Sequence, residues 1–187
     1  MDITIRQLTT KDSNHFPEGI ELLNRTQGRD LFPPDYLTVR TEDPDSYVIA
    51  AFDKSQLIGI SIAQLITNYD YYLPFAPNIN ELFKNKKVGS FSTMCTHESY
   101  QGKGIGKLMS QKRLEWVKNQ KCDVVVGVSW VSGLKHTSNR VFEKIGFSPV
   151  KQVDKFYIQQ SIDHPFECPG CNVQPCICSA ILYKMDL

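Results

Sequence analysis

The sequence lacks an excess of charge of either sign. Among its 187 residues, 21 lysines and arginines are balanced by 20 aspartates and glutamates. This balance excludes the strong positive field with which proteins recruit nucleic acid or anionic membranes, so neither is an expected partner. Internal repeats and low-complexity tracts are also missing, which excludes solenoid and linker-like architectures.

Long hydrophobic runs are absent as well, since no uninterrupted apolar stretch is long enough to cross a bilayer. The first residues, MDITIRQLTTKD, alternate apolar and polar side chains. A basic segment followed by an apolar one would indicate a secretory signal, so none is expected here. The cytoplasm is the expected compartment, where thiols stay reduced unless a metal holds them.

What is present predicts one α/β domain over 1–187, with a mixed sheet and helices on both faces. Apolar periodicity and turn residues give the order of the elements. The first half contains a strand over Met1–Thr9, a helix in EGIELLNRT, a break at FPPDYL, a hairpin over Ser46–Ile66, and a long loop with one short helix over Thr67–Lys87. The second half contains a strand over Val88–Thr96, a helix over Gly104–Asn119, a strand over Asp123–Trp130, a helix in HTSNRVFEKIG ending at Gly146, a strand starting at Phe147, and closing strands in KQVDKFYI and SAILYKMDL. The helix over Gly104–Asn119 is expected to place Ile105, Leu108, Met109 and Trp116 on one face.

Three glycines crowd the start of one predicted helix, in ESYQGKGIGKLM. A Walker A loop needs four residues between its first glycine and the Gly-Lys pair, whereas three separate Gly102 from Gly106. The dinucleotide fingerprint needs two residues between its second and third glycines, and one separates Gly104 from Gly106. The spacing therefore excludes both nucleotide loops.

The pattern that remains is Gln-x-x-Gly-x-Gly, from Gln101 to Gly106, between a strand and an amphipathic helix. Without side chains in the way, successive amides can converge on an anion, and the helix start adds partial positive charge. Lys103 and Lys107 can add full charges. The stretch favours a phosphate cradle, with a simple connecting turn as the alternative.

In this context YQGKGIGKLM resembles the acetyl-CoA pyrophosphate loop of the GNAT superfamily of N-acetyltransferases, whose pattern is Arg or Gln, two residues, Gly, one residue, then Gly or Ala. ITIRQLTTKD resembles the family's opening strand, YVIAAFDKSQLIGISIAQ its hairpin, and NRVFEKIGF the end of its last helix. The resemblance covers about Ile3 to Ile158. It implies a mostly antiparallel sheet whose central strand pair splays apart to admit the cofactor.

The resemblance also implies which residues would hold acetyl-CoA. The backbone of the glycine loop would bind the pyrophosphate, and the strand before it would hydrogen-bond the pantetheine arm and polarise the thioester carbonyl. The implied cofactor contacts are Met94, Cys95, Thr96, Gln101, Gly102, Lys103, Gly104, Ile105, Gly106, Lys107, Ser138 and Phe142.

Acetyl transfer needs a neutral amine and therefore a general base. Glu98 is the first candidate because it follows the cofactor-binding strand, and His97 is the second; a solvated role at the strand end is the alternative for each. The family's tyrosine acid is replaced by Phe142, so water or Ser138 would protonate the thiolate. Cys95 lies two residues before His97, but a buried thiol is the commoner role, and transfer in this family is direct.

CPGCNVQPCIC places Cys168, Cys171, Cys176 and Cys178 within eleven residues. Four thiolates at this spacing favour a closed, structural zinc site in a loop over 164–179, between the final two strands. Two disulfides, an iron–sulfur site or free thiols are the alternatives, and His164 lies outside the compact pattern. The segment contains no lysine or arginine, which argues against nucleic-acid binding.

The sequence thus predicts an acetyl-CoA-dependent N-acetyltransferase with structural Zn²⁺, acting on a small amine or a peptide. A non-catalytic acyl-CoA sensor or zinc-mediated interaction module is the alternative, favoured by Phe142. The acid and aromatic rings of NYDYYLPF, at 68–75, suit an ammonium group. Cover for a sheet edge is their alternative role, and the oligomeric state stays open, a homodimer included.

Overall fold

The structure, a computed structural model, describes residues 2–133 and 138–187. Within them one sheet contains seven strands, in the spatial order β1-β2-β3-β4-β5-β7-β6. All neighbouring strands are antiparallel except β4 and β5, which are parallel. The strands are β1 (Ile3–Gln7), β2 (Ser46–Asp53), β3 (Gln56–Ile66), β4 (Val88–Thr96), β5 (Val124–Val131), β6 (Ser148–Val153) and β7 (Ser179–Asp186).

Helices cover both faces of this sheet. The described helices are α1 (Phe16–Gln27), α2 (Tyr36–Glu42), α3 (Ile79–Leu82), α4 (Ile105–Asn119), α5 (Asn139–Lys144) and α6 (Ile158–Asp163). Adjacent side chains of a strand point to opposite faces. Val48 accordingly packs with the α1 residue Leu23, and Ile49 packs with Met109 of α4 on the other face. None of the described helices combines the length and apolar character needed to span a membrane.

The structure corrects two parts of the predicted element order. The break predicted at FPPDYL ends at Asp35, because α2 begins at Tyr36 and its Leu37 is fully buried against the α1 face. The strand predicted in KQVDKFYI ends at Val153, because Lys155 adopts a left-handed φ of 54° and turns the chain into α6. His136 and Thr137, at the start of the last helix predicted before Gly146, lie outside the described residues; Gly146 itself has the expected left-handed φ of 99°.

The buried face of α4 also differs from the predicted stripe. Leu108 is 49% exposed, whereas Arg113 is only 2% exposed. Met109, Arg113 and Val117 follow one another at intervals of four, which places all three on the side that faces the sheet. A stripe counted from apolar residues alone omits the arginine in this row.

The central strands separate after a short parallel ladder. β4 and β5 pair only from Val88 with Val124 to Phe91 with Gly127, although both strands continue. A bulge follows immediately in β4, because Ile62 of β3 pairs with Thr93 and Ala63 with Phe91, which leaves Ser92 between them. Bulges bend strands and end pairing. The splayed strand pair predicted from the resemblance is therefore confirmed.

Candidate functional site

Beyond Phe91, the splay leaves the β5-facing edge of β4 without a strand partner among the described residues. The N–H of His97 donates to the Ile58 carbonyl of β3 at 2.8 Å, and the polar groups of successive residues alternate between the two edges of a strand. Met94 and Thr96 therefore turn their amides and carbonyls toward the gap. Both carbonyls accept a hydrogen bond from a glutamine side chain. Gln101 Nε2 donates to Thr96 O at 3.0 Å, and Gln27 Nε2 donates to Met94 O at 3.0 Å.

The glycine loop lies at the end of this edge and begins α4. Gly102 and Gly104 adopt left-handed φ values of 74° and 85°, which explains the residue type at both positions. Apart from the adjoining residues of the chain, a Cβ at either position would meet no atom of the described residues within 4 Å, so open space lies beside the backbone. The first amides of α4, over 105–107, precede any helical carbonyl they could bond. Free amides at the start of a helix can bind an anion.

The basic side chains of the loop differ in their surroundings. Lys103 Nζ lies 4.9 Å from the centre of the Tyr100 ring, and the Tyr100 hydroxyl donates to Asp53 Oδ2 at 3.0 Å. The ring thereby steadies an exposed ammonium group beside the loop. Lys107 is exposed on the first turn of α4.

The two candidate bases lie just past β4. Glu98 begins a short 3-10 turn, with its carboxylate 66% exposed and 3.9 Å from the Arg25 guanidinium of α1. His97 precedes it, and its Nδ1 accepts the Ser99 N–H at 3.2 Å. With Nδ1 engaged as a cap, His97 could move a proton only through Nε2.

On the opposite wall, the candidate acid position is apolar. The Phe142 ring is buried and stacks on Tyr183 at 5.1 Å. The hydroxyl of Tyr183 donates to Glu143 at 3.1 Å, and burial and this carboxylate raise the pKa of Tyr183 to about 12. Beside Phe142, the Ser138 hydroxyl lies 2.7 Å from Ser129 Oγ of β5, in a cluster that includes Asn139.

The two cysteines outside the cluster are core residues. Cys95 packs among the α1-facing side chains, and burial raises its pKa to about 11. Burial also raises the pKa of Cys122. Neither thiol meets the requirements of a nucleophile, which needs a depressed pKa and access to substrate.

Two further residues contact the splayed part of β4 and were missed from the sequence. Gln27, on α1, accepts a hydrogen bond from Thr93 Oγ1 at 3.0 Å while donating to Met94 O. Arg113, on α4, donates to Thr93 O at 3.4 Å and to Ile62 O at 3.3 Å. No sequence signal marks Gln27, whereas the row of residues at intervals of four in α4 could have identified Arg113.

The four cysteines lie close together in the loop that precedes β7, after β6 and α6 in the chain. Their sulfur atoms all lie within 4.8 Å of one another, and the Cys168–Cys178 and Cys171–Cys176 separations are both 3.7 Å. Metal–sulfur bonds of about 2.3 Å in a tetrahedron give a sulfur–sulfur edge of about 3.8 Å. The described residues thus fit a tetrahedral four-thiolate site.

Hydrogen bonds favour ionisation of one of these thiols. Burial opposes the charge of Cys171, but hydrogen bonds with the backbone of Val173 and Ile177 and with neighbouring thiols lower its pKa to about 7. Metal ligation requires the thiolate.

The cysteine loop is attached to both sides of the gap. On one side Arg29, just after α1, and Glu167 exchange backbone hydrogen bonds of 3.0 and 3.1 Å. On the other, the Trp130 side chain at the end of β5 packs against the buried cysteines. A cleft of about 460 Å³, lined by Asp30, Phe166, Glu167 and Val173 among others, opens between the loop and the residues after α1.

The aromatic segment after β3 is mostly a covering layer. Tyr72 and Phe75 are buried against β4 and β5, and the Tyr72 hydroxyl lies 2.8 Å from Ser90 Oγ. Tyr69 packs on Phe83, and Tyr71 on Phe156. These contacts favour sheet coverage over ammonium binding for the aromatic rings, while Asp70 is exposed.

Comparison with solved structures gives the same fold at low sequence identity. The NatC complex bound to Gag peptide and CoA matches with 12% identity and a TM-score of 0.70, covering 100% of this chain and 99% of that one. Arabidopsis thaliana NAA60 in complex with acetyl-CoA matches with 17% identity and a TM-score of 0.66, covering 99% and 98%. The ribosomal-protein-S18-alanine N-acetyltransferase from Escherichia coli matches with 11% identity and a TM-score of 0.64, covering 98% and 93%. No curated protein matches the chain by sequence.

The family model for GNAT acetyltransferases matches residues 16–147. This range begins with α1 and includes the hairpin, the splayed strand β4, the glycine loop and α5. The match covers well over half of the chain and the elements that build the gap. The chain belongs to the acetyltransferase (GNAT) family.

Proposed function

We propose that this protein is an N-acetyltransferase that transfers acetyl from acetyl-CoA to a primary amine by direct attack in a ternary complex. The free edge of β4, which leads into the glycine loop at the start of α4, carries this proposal. Such an edge can bind an amide-containing arm, and such a loop a pyrophosphate. The solved NAA60 complex with acetyl-CoA shows that this fold can hold the donor.

In the proposed reaction, acetyl-CoA supplies the activated acetyl group, and the amine nitrogen forms an amide bond as the carbon–sulfur bond breaks. The Met94 N–H donates to the thioester oxygen, where negative charge develops. Glu98 receives the ammonium proton through water, with His97 Nε2 as the alternative. Water or the Ser138 hydroxyl passes the second proton of the attacking nitrogen to the departing thiolate, because Phe142 offers no proton.

Thiol release from acetyl-CoA over a panel of small amines, lysine-containing peptides and free peptide N-termini tests this function. We expect acceptor-dependent thiol formation in a stoichiometric ratio to acetylated product, measured by mass spectrometry. The absence of a proton donor at Phe142 favours one alternative function, that of a non-catalytic acyl-CoA sensor. Calorimetric binding of acetyl-CoA without turnover of any acceptor would establish the sensor instead.

Direct transfer predicts that Cys95 is dispensable. Cys95→Ala removes only the thiol, so we expect kcat within about twofold of wild type and a loss of roughly 1 kcal/mol in stability from the smaller buried side chain. Steady-state assays and thermal unfolding measure the two effects. A loss of kcat above about 100-fold in a folded variant, or an acetylated Cys95 in the intact mass, would establish an acyl-enzyme route.

We also propose that Cys168, Cys171, Cys176 and Cys178 hold one structural Zn²⁺. The 3.7 Å sulfur–sulfur separations, and the approach of all four sulfur atoms to within 4.8 Å of one another, support this assignment. Four thiolates leave no open position on zinc, so the ion would fix the loop and take no part in the transfer. Through the Arg29–Glu167 pairing, this loop would form a rigid wall at the acceptor end of the gap.

A further inference from the structure

Arg113 is a buried cation that forms no salt bridge with any carboxylate of the described residues. It is 2% exposed, and its hydrogen-bond partners are neutral: two carbonyls, the Ser110 hydroxyl at 2.9 Å and the Met94 sulfur at 3.4 Å. The guanidinium carbon lies 4.0 Å from the centre of the Phe91 ring. Its Nε atom has no hydrogen-bond partner within the described residues. Burying such a charge without an anion is costly and calls for a function.

The cost is visible in the pKa of Arg113, which desolvation lowers to about 9. A leucine or methionine at this position of α4 would continue the apolar row between Met109 and Val117 without that cost. The guanidinium is instead directed at the bulge of β4. There it reaches the carbonyls of Ile62 and Thr93.

The Thr93 carbonyl belongs to the same peptide group as the Met94 N–H. A trans peptide is planar, and its C=O and N–H point in opposite directions. The guanidinium therefore lies at one end of this peptide, while the N–H at the other end faces the gap between β4 and β5. A cation at the carbonyl draws electron density from the nitrogen, and hydrogen bonds in series strengthen one another.

The next peptide group is held from the opposite face of the sheet. Gln27 donates to Met94 O, and its amide orientation is set because Oε1 accepts from Thr93 Oγ1. Arg113 from α4 and Gln27 from α1 thus hold the two peptides that flank the Met94 Cα. The free edge consequently presents an N–H donor of defined direction at Met94.

We propose that Arg113 is a positioning residue for acetyl transfer, which acts through the Thr93–Met94 peptide to orient and polarise the Met94 N–H that donates to the thioester carbonyl. It does not touch the cofactor. This inference rests on the proposed acetyltransferase function. It accounts for a buried, uncompensated charge that the fold alone does not require.

The test compares Arg113→Met, which removes the charge at similar length, with Arg113→Lys, which keeps it. For Arg113→Met we expect kcat to fall about 10-fold while the KM for acetyl-CoA changes less than about threefold, since the contact strengthens as charge develops on the oxygen. Arg113→Lys should remain within about threefold of wild-type kcat. Thermal unfolding of each variant checks that it is folded.

A second readout separates polarisation from a structural role. A ¹³C-labelled ketone analogue of acetyl-CoA, bound to each protein, reports the strength of the hydrogen bond through its carbonyl stretching frequency in difference infrared spectra. We expect a downshift on binding to wild type and Arg113→Lys, and a smaller downshift in Arg113→Met. The spectrum requires binding only, so it can be recorded whether or not turnover occurs.

Failure of the inference is distinguishable from failure of the proposed function. Absence of turnover by wild type across the acceptor panel refutes the function. With an active wild type, equal kcat or equal carbonyl frequency in Arg113→Met refutes the role of Arg113. A folded Arg113→Lys that is as impaired as Arg113→Met in both readouts would also refute the role of Arg113, because the positive charge would then not be what polarises the Met94 N–H.

Discussion

Gly104→Ala is expected to weaken acetyl-CoA binding at least about 10-fold with little change in thermal stability. Gly104 has a φ of 85°, where a side chain costs about 1–2 kcal/mol. Apart from the adjoining residues, no atom of the described residues lies within 4 Å of the added Cβ, so the variant has room to relieve the strain by rotating this peptide. That rotation would redirect the first amides of α4 away from the phosphates, and each 1.4 kcal/mol lost is a factor of ten in affinity.

Gly106→Ala is the matched control, because it adds the same methyl group two residues along the loop. Its Cβ would meet Met94 Cε at 3.6 Å, an ordinary contact, and its φ is not left-handed. We expect its affinity to stay within about threefold of wild type. Calorimetric titration of both variants with acetyl-CoA and with CoA decides the point: equal affinities for the two alanine variants would refute the phosphate-cradle role of Gly104.

Cys176→Ser is expected to abolish stoichiometric zinc binding and to lower the midpoint of thermal unfolding by roughly 6–12 °C. Cys176 is only 1% exposed, and its sulfur lies 3.7 Å from that of Cys171. Loss of the metal would release the loop from its four anchors, at an expected cost of about 3 kcal/mol in the free energy of unfolding. In a chain of this size each kcal/mol corresponds to about 2–4 °C.

Cys122→Ser provides the control, since it changes another buried cysteine that lies outside the cluster. It should retain one zinc per chain by elemental analysis. Removal of zinc from wild type with a strong chelator should reproduce the lower midpoint of Cys176→Ser. Iron in place of zinc, disulfides in the intact mass, or an unchanged midpoint after chelation would refute the structural zinc site.

The cysteine loop also borders a cleft on the surface of the protein. Its pairing with Arg29 and its packing against Trp130 place it beside the carboxyl ends of α1 and β5. The cleft beside it contains the carboxylates Asp30 and Glu167 next to apolar surface. Arg29 pairs with Glu167 at 3.3 Å, so charges of both signs lie at this cleft.

Local sequence was sufficient wherever neighbouring residues impose the conformation. The hairpin, the strand before the glycine loop and the helix after it follow from alternation, periodicity and glycine spacing, and the structure has each of them. The spacing of the four cysteines also predicted that they form one metal site, because ligands in one short loop need no distant contact to converge. The element after β6 was missed because Phe156 and Tyr157 resemble strand residues, whereas they pack into the core around a turn.

The family, the order of the main elements, the phosphate-binding candidate and the metal-binding pattern could all be predicted from the sequence, since each depends on residues close together in the chain. Which polar residues reach the free edge of β4 became known only from the fold. Gln27 is 67 residues from Met94, and Arg113 is 20 residues from Thr93. Local spacing can place Arg113 on the buried face of α4, but contacts across such separations depend on how the helices pack on the sheet.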